Sequence, residues 1–122
     1  METILVVEDE EMLLELLETI ISGEGYNVLT AKDGQEALEI YIQREGKIDL
    51  ILSDMGLPRL GGWEMFQKIH KMNPAAKAIL ASGYLDPKLR LEMIEAGAVD
   101  FVQKPYEPDI ILNRIREALD SR

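Results

Sequence analysis

The chain has 122 residues, of which 47% are hydrophobic, and a net charge of −10 at pH 7. This length predicts one domain spanning residues 1–122, and no apolar run reaches the roughly 18 residues of a transmembrane helix. The absence of cysteine excludes disulfides, zinc–thiolate sites and thiol catalysis. The acidic balance argues against nucleic acid as a partner, because such binding depends on Lys and Arg meeting phosphates. With no signal peptide visible, we expect a cytoplasmic domain that does not act at a membrane.

Short apolar runs alternate with amphipathic stretches along the chain, which is the pattern of a parallel sheet with helices between its strands. The runs predict five strands, at Thr3–Val7, Tyr26–Thr30, Asp49–Ser53, Ala76–Ala81 and Val99–Gln103. Several of these runs are apolar on both faces. They therefore belong in the middle of a sheet that helices cover on both sides.

A helical pattern follows each predicted strand. In the first, six apolar residues recur at helical spacing and should face the core: Met12, Leu13, Leu16, Leu17, Ile20 and Ile21. The second begins after Asp33, which has Glu36 three residues later, as in a capping box. The third is predicted over Trp63–Met72, the fourth from Asp86-Pro87 to Ala96-Gly97, and the fifth from Glu107-Pro108-Asp109.

Charged and polar side chains follow four of the predicted strands. Glu8 and Asp9 come after the first strand, Asp54 after the third, Ser82 after the fourth and Lys104 after the fifth. Because the carboxyl ends of parallel strands meet at one edge of a sheet, these side chains should lie together. Three carboxylates and one ammonium carry a local charge of −2, and two like charges about 4 Å apart repel by roughly 1–4 kcal/mol. One divalent cation would restore neutrality, and oxygen ligands suit Mg²⁺.

Each of these residues also has a structural explanation when it is taken alone. Glu8 and Asp9 could cap the first helix and complement its dipole, an effect of about 0.3–1 kcal/mol each. Lys104 before Pro105 could be an ordinary surface turn. Their joint placement at the strand ends favours a functional site.

Four motifs, in this order and spacing, resemble the receiver domain of two-component response regulators, the family that includes the single-domain chemotaxis receivers. They are Val7-Glu8-Asp9-Glu10, Ser53-Asp54-Met55-Gly56-Leu57-Pro58, Ser82-Gly83 and Lys104-Pro105. The resemblance covers the chain from about Ile4 to Leu119. It implies an α/β fold: a doubly wound, flavodoxin-like sheet of five parallel strands in the order 2-1-3-4-5, with five helices on both faces.

The resemblance implies a role for each acidic residue. Asp54 would accept a phosphoryl group, as a carboxylate nucleophile that forms an aspartyl phosphate. Asp9 and the backbone carbonyl of Gly56 would bind Mg²⁺ together with Asp54. Glu8 would act on the metal largely through water.

Two more residues would act on the phosphoryl group. Lys104 would contact its oxygens, and the hydroxyl of Ser82 would donate a hydrogen bond to one of them. The Lys104–Pro105 peptide bond resembles one that is cis in the family, and we predict cis here. Two positions depart mildly from the family pattern, since Glu8 stands where Asp is common and Ser82 where Thr is common. Tyr84, two residues past Ser82, would affect how water reaches the acyl phosphate.

Phe101 occupies the place of an aromatic residue that turns inward when members of this family are activated. The resemblance implies that phosphorylation draws Ser82 toward the phosphoryl group and that Phe101 fills the vacated space. That movement would change the face formed by the fourth helix, the fifth strand and the fifth helix. The alternative is that Phe101 is an ordinary core residue.

A receiver would take its phosphoryl group from a histidine kinase or a histidine phosphotransfer protein. It would be a signalling module that catalyses only its own phosphorylation and dephosphorylation. The Ser82-Gly83-Tyr84 loop also resembles receivers fused to hybrid histidine kinases, so a fragment of such a kinase and a stand-alone receiver remain alternatives. A homodimer through the fourth and fifth helices is an interpretation that the sequence leaves open.

Two other functional classes remain as alternatives. One is a small Mg²⁺-dependent phosphatase with Asp54 as nucleophile, but such an enzyme needs a substrate cap and a second acid where this chain has Gly56. The other is a pseudo-receiver, which binds proteins and never accepts phosphate. The complete set of charged residues argues against it, because an unused site has no physical reason to keep uncompensated charge.

Overall fold

The computed structural model describes residues 1–83, 86–98, 100–105 and 107–121. Its strands are β1 (Thr3–Val7), β2 (Asn27–Ala31), β3 (Leu50–Asp54), β4 (Ala78–Ser82) and β5 (Asp100–Gln103). Its helices are α1 (Glu11–Gly23), α2 (Gly34–Gln43), α3 (Gly62–Met72), α4 (Pro87–Glu95) and α5 (Pro108–Asp120). The strands are parallel in the order β2-β1-β3-β4-β5, so the predicted fold class and strand order are confirmed. Among the described residues, no helix is long and apolar enough to span a membrane.

The sheet separates two apolar layers, because successive residues of a strand point to opposite faces. Ile4 and Val6 of β1 pack in the layer that contains α1 and α5. Leu5 and Val7 pack in the layer that contains α2, α3 and α4. A strand buried on both faces needs apolar residues at every position, and this explains the unbroken apolar runs in the sequence.

The observed strands are shifted slightly from the predicted ones. β2, β3 and β4 each begin and end one or two residues later than predicted, so Asp54 and Ser82 are the last residues of their strands. Val99, the predicted start of the fifth strand, lies outside the described residues, and β5 begins at Asp100. The shifts leave the charged residues at the carboxyl end of the sheet.

The predicted buried face of α1 was partly wrong. Met12 and Leu16 are 85% and 53% exposed, whereas Leu14 is buried together with Leu17 and Ile21. Apolar residues occur on several sides of this helix, so their spacing alone did not reveal which side meets the sheet.

Asp33 begins α2 as its N-cap residue. Its Oδ1 accepts a hydrogen bond from the amide of Glu36 at 2.8 Å and another from Arg59 at 3.1 Å. The carboxylate of Glu36 accepts in return from the amide of Lys32 at 2.7 Å. The Glu36 amide is the main cause that lowers the pKa of Asp33; partial burial opposes this effect, and Arg59 adds to it.

Replacing Asp33 with Ala should lower the free energy of unfolding at neutral pH by about 1 kcal/mol, the usual cost of losing an N-cap. Because the pKa of Asp33 is lowered in the folded protein, its carboxylate stabilises the fold above the ordinary Asp value of about 3.9 and loses this effect as the pH falls through the lowered pKa. The difference between wild type and Asp33→Ala should therefore shrink in acid, measured by urea unfolding over a pH series. The control is Asp33→Asn, whose amide oxygen caps α2 at every pH. The difference in the free energy of unfolding between Asp33→Asn and Asp33→Ala should therefore not change with pH. If the difference in the free energy of unfolding between wild type and Asp33→Ala does not change with pH, Asp33 is not a cap that depends on its charge.

Candidate functional site

Three carboxylates lie together at the carboxyl end of the sheet. Glu8 and Asp9 follow β1, Asp54 ends β3, and the two strands are neighbours with Val7 paired to Ser53. One carboxylate oxygen from each acidic residue lies within 4.8 Å of the other two. The structure thus brings together the three carboxylates that the sequence places at strand ends.

Lys104 supplies a positive charge to this cluster. Its Nζ lies 3.3 Å from Oε1 of Glu8 and 3.3 Å from Oδ2 of Asp54. The Lys104–Pro105 peptide bond is cis, as predicted. Burial on its own would lower the pKa of Lys104, but the charges of Glu8 and Asp54 and the hydrogen bonds to them outweigh it and raise that pKa. Lys104 is therefore protonated at neutral pH.

Glu8 is the most buried member of the cluster, with 2% of its side chain exposed. Its amide donates to the carbonyl of Ala31 at 3.0 Å, and its Oε2 accepts from the amide of Glu10 at 3.0 Å. Burial raises the pKa of Glu8 and the charge of Asp54 adds to the rise, although the Glu10 amide and Lys104 oppose it. The raised pKa of Glu8 thus reflects mainly its withdrawal from water.

The donor set fits a hard divalent cation such as Mg²⁺, which prefers oxygen ligands. Asp9 is exposed and Asp54 is half-buried, so the cluster is open to solvent on one side. Gly56 lies next to the cluster, with its amide nitrogen 3.4 Å from Oδ1 of Asp54. A Cβ at Gly56 would have no neighbour within 4 Å, so the backbone there is accessible.

Ser82 ends β4 beside the cluster. The preceding residue, Ala81, pairs with Asp54 across the β3–β4 ladder. The carbonyl of Ser82 accepts from the amide of Lys104 at 2.8 Å, so the backbone joins the hydroxyl-bearing residue to the lysine. Tyr84, for which the sequence predicted an effect on water access, lies outside the described residues.

Phe101 lies in β5 opposite Leu80 of β4 and is 8% exposed. The guanidinium of Arg90 in α4 lies 5.6 Å from the centroid of its ring, within the range of a cation–π contact. A cavity of about 360 Å³ has both Ser82 and Phe101 in its lining, together with Arg90. The two residues predicted to move together therefore border one space.

Sequence reasoning missed a close backbone contact behind Asp54. Ser53 is fully buried, and its hydroxyl donates to the carbonyl of Asp54 at 2.9 Å. A Cβ on Gly62 would lie 2.2 Å from the Asp54 carbonyl oxygen, so only glycine fits at the start of α3. The Gly61-Gly62 pair was the signal in the sequence that could have predicted this close backbone contact. The contact between Arg90 and Phe101 had no comparable signal in the sequence.

Comparison with known proteins gives consistent results. The family model "Response regulator receiver domain" matches residues 4–116. The chemotaxis protein CheY of Thermotoga maritima is 36% identical over 118 residues, which cover 96% of this chain and 93% of that protein. A cyclic di-GMP phosphodiesterase of the same organism is 32% identical over 120 residues, and the chain spans 32% of its length. Among solved structures, the CheX–CheY–BeF₃–Mg²⁺ complex from Borrelia burgdorferi has a TM-score of 0.91 at 26% identity, with coverage of 98% of this chain and 90% of that chain.

The family match contains all four motifs, from Val7-Glu8-Asp9-Glu10 to Lys104-Pro105. The CheY relative has nearly the same length as the matched region, whereas the phosphodiesterase has about two thirds of its length outside it. Receiver domains are signalling modules. The chain belongs to the response regulator receiver domain family and is a phosphoacceptor of two-component signalling.

Proposed function

We propose that Asp54 accepts a phosphoryl group from a phosphohistidine of a histidine kinase or a histidine phosphotransfer protein, and that the reaction requires Mg²⁺. The position of the Asp54 carboxylate carries this proposal. It lies 3.3 Å from the ammonium of Lys104 and within the acidic cluster with Glu8 and Asp9. With 13% of its side chain exposed, Asp54 can meet a donor from solvent.

Asp9, Asp54 and the backbone carbonyl of Gly56 would hold the Mg²⁺ ion, and Glu8 would contact it through water. When bound, Mg²⁺ neutralises charge so that an anionic carboxylate and an anionic phosphoryl group can approach each other. The charge of the site supports this assignment, because three clustered carboxylates face one ammonium, that of Lys104. A CheY of similar fold was solved with BeF₃ and Mg²⁺, and we expect the same pair to bind here.

In the transfer step, an oxygen of Asp54 attacks phosphorus. The bond between phosphorus and the imidazole nitrogen of the donor breaks, and its electron pair returns to that nitrogen. Lys104 would exchange its contact with the Asp54 carboxylate for the new phosphoryl oxygens, and Ser82 would donate a hydrogen bond to one of them. Such catalysis consists mainly of positioning and charge neutralisation. In this proposal the acceptor is the domain's own Asp54, so the domain would catalyse only its own phosphorylation and dephosphorylation.

The face formed by α4, β5 and α5 would report the phosphorylated state. Ser82 and Phe101 border one cavity, so a shift of Ser82 toward the phosphoryl group would open space that the ring of Phe101 can enter. The ring would then leave the guanidinium of Arg90, which now lies 5.6 Å from its centroid. A charge added at Asp54 would in this way alter packing at a distant surface.

Incubation with acetyl phosphate and Mg²⁺ should add one phosphoryl group to the wild-type protein and none to Asp54→Asn, measured by intact mass. A chelator should abolish the gain, because the carboxylate cluster then repels the donor. Asp86→Asn, which changes an exposed carboxylate at the start of α4, is the matched control and should gain mass like the wild type. A gain in Asp54→Asn would disprove the role of Asp54. No gain in the wild type under any condition would favour the pseudo-receiver.

Mg²⁺ alone should raise the thermal unfolding midpoint of the wild type. An ion that binds only the folded state stabilises it by about 2.7 kcal/mol at a concentration of about 100 times its dissociation constant. Asp9→Asn should lose most of this shift. In chelator the variant should be at least as stable as the wild type, because one of three mutually repelling charges is gone. An undiminished Mg²⁺ shift in Asp9→Asn, compared at equal ionic strength, would rule out Asp9 as a ligand.

Phe101→Leu should become phosphorylated at Asp54 as fully as the wild type, because Phe101 is not a member of the carboxylate cluster. The amide chemical shifts of α4, β5 and α5 should change on phosphorylation of the wild type and change much less in Phe101→Leu. Phe101→Tyr keeps the ring and should respond like the wild type. An equal response in all three proteins would identify Phe101 as an ordinary core residue.

A further inference from the structure

The loop that carries Gly56 runs from β3 to α3, and its first residue, Met55, is held by β4 and by the start of α3. The amide of Met55 donates to the carbonyl of Ala81 at 3.0 Å, and the amide of Gly62 donates to the carbonyl of Met55 at 3.2 Å. These bonds hold the loop directly after Asp54. Gly56 follows Met55 and is exposed.

The far part of the same loop is held by the start of α2. The amide of Gly34 donates to the carbonyl of Leu60 at 3.2 Å. A Cβ on Gly34 would lie 2.1 Å from that carbonyl oxygen, so the loop and the helix start are in direct backbone contact. Beside this contact, Nη2 of Arg59 lies 3.1 Å from Oδ1 of Asp33.

The backbone of Arg59 has a left-handed conformation, with φ of 63°. Side chains other than those of Asn and Asp rarely adopt this region, and a non-glycine residue held there invites a functional explanation. The ion pair is a poor explanation in terms of stability alone, because the Arg59 side chain is 62% exposed and such pairs contribute little. The alternative explanation is that the contact between Arg59 and Asp33 fixes the path of the loop.

We propose that Asp33 and Arg59 are positioning residues for the metal site, which fix the loop so that the carbonyl of Gly56 meets the cation held by Asp9 and Asp54. This inference rests on the proposed function. Neither residue would touch the metal or the phosphoryl group. Along the chain, Gly56 lies between Met55, which is bonded to β4 and to the start of α3, and Arg59, which is bonded to Asp33.

The pair can be broken without losing the cap of α2. Oδ1 of Asp33 accepts from both the Glu36 amide and Arg59. Asn at position 33 keeps an oxygen for the amide but removes the charge that attracts Arg59. Arg59→Asn tolerates the left-handed backbone and cannot form the ion pair, whereas Arg59→Lys keeps the positive charge.

The experiment is a calorimetric Mg²⁺ titration of the full chain, with thermal unfolding in chelator as the second measurement. Arg59→Asn should raise the Mg²⁺ dissociation constant by about tenfold, the lower end of the loss caused by changes around metal ligands. The unfolding midpoint in chelator should stay near that of the wild type, and Arg59→Lys should recover part of the affinity. Loss of a positive charge would by itself strengthen Mg²⁺ binding, so the expected weakening has the opposite sign to a pure charge effect.

Arg44→Asn is the matched control, since Arg44 is an exposed arginine at the other end of α2. It should not weaken Mg²⁺ binding. Asp33→Asn should weaken binding like Arg59→Asn, and the double variant should be no weaker than either single one.

Unchanged or tighter Mg²⁺ binding in Arg59→Asn would overturn the inference, whether or not the unfolding midpoint falls. If the wild type binds Mg²⁺ and Arg59→Asn binds it equally well, the positioning role alone is wrong. If the wild type binds Mg²⁺ but Asp54 gains no phosphoryl group, the proposed function is wrong and the positioning role stands or falls by the titration. A wild type that binds no Mg²⁺ would overturn both.

Discussion

The site depends on an unequal balance of charge, three carboxylates against one ammonium. Lys104 contacts Glu8 and Asp54 at 3.3 Å each, and yet burial still raises the pKa of Glu8. Asp9 adds a third negative charge beside them, so one lysine faces three carboxylates. The described residues of the site therefore carry a net negative charge that a bound cation would reduce.

Buried strands are what hold these charges so close together. Glu8 follows four residues of β1 that are at most 1% exposed, and Asp54 ends a strand that is buried up to Ser53. Lys104 lies beyond β5, so its side chain reaches past the ends of β4 and β3 to contact Glu8 after β1. Side chains at or directly after the ends of rigid strands keep their positions despite mutual repulsion more reliably than side chains on long loops.

Periodic patterns and family motifs predicted the regular part of the fold, whereas contacts between distant loops could not be predicted from the sequence. The acidic cluster was expected from the residues that follow the apolar runs, and the strand order from the family resemblance, and the structure agrees with both. The buried face of α1 was predicted incorrectly at Met12 and Leu16, because apolar residues occur around that helix. The contact of Arg59 with Asp33 joins residues 26 positions apart, and no repeating pattern connects them.

The metal ligands proposed here differ in how the fold can place them. Asp54 is the last residue of β3 and Asp9 follows β1 by two residues, whereas Gly56 would offer a backbone carbonyl from a longer loop, which needs anchors of its own. Two glycines provide them: a Cβ at Gly62 or at Gly34 would lie 2.2 Å or 2.1 Å from a carbonyl oxygen at either end of the loop. At both points a hydrogen is the only substituent that fits, so backbone contact fixes the ends of the loop. A loop clamped in this way can present the carbonyl of Gly56 to a cation, although glycine has no side chain that could hold this residue in place.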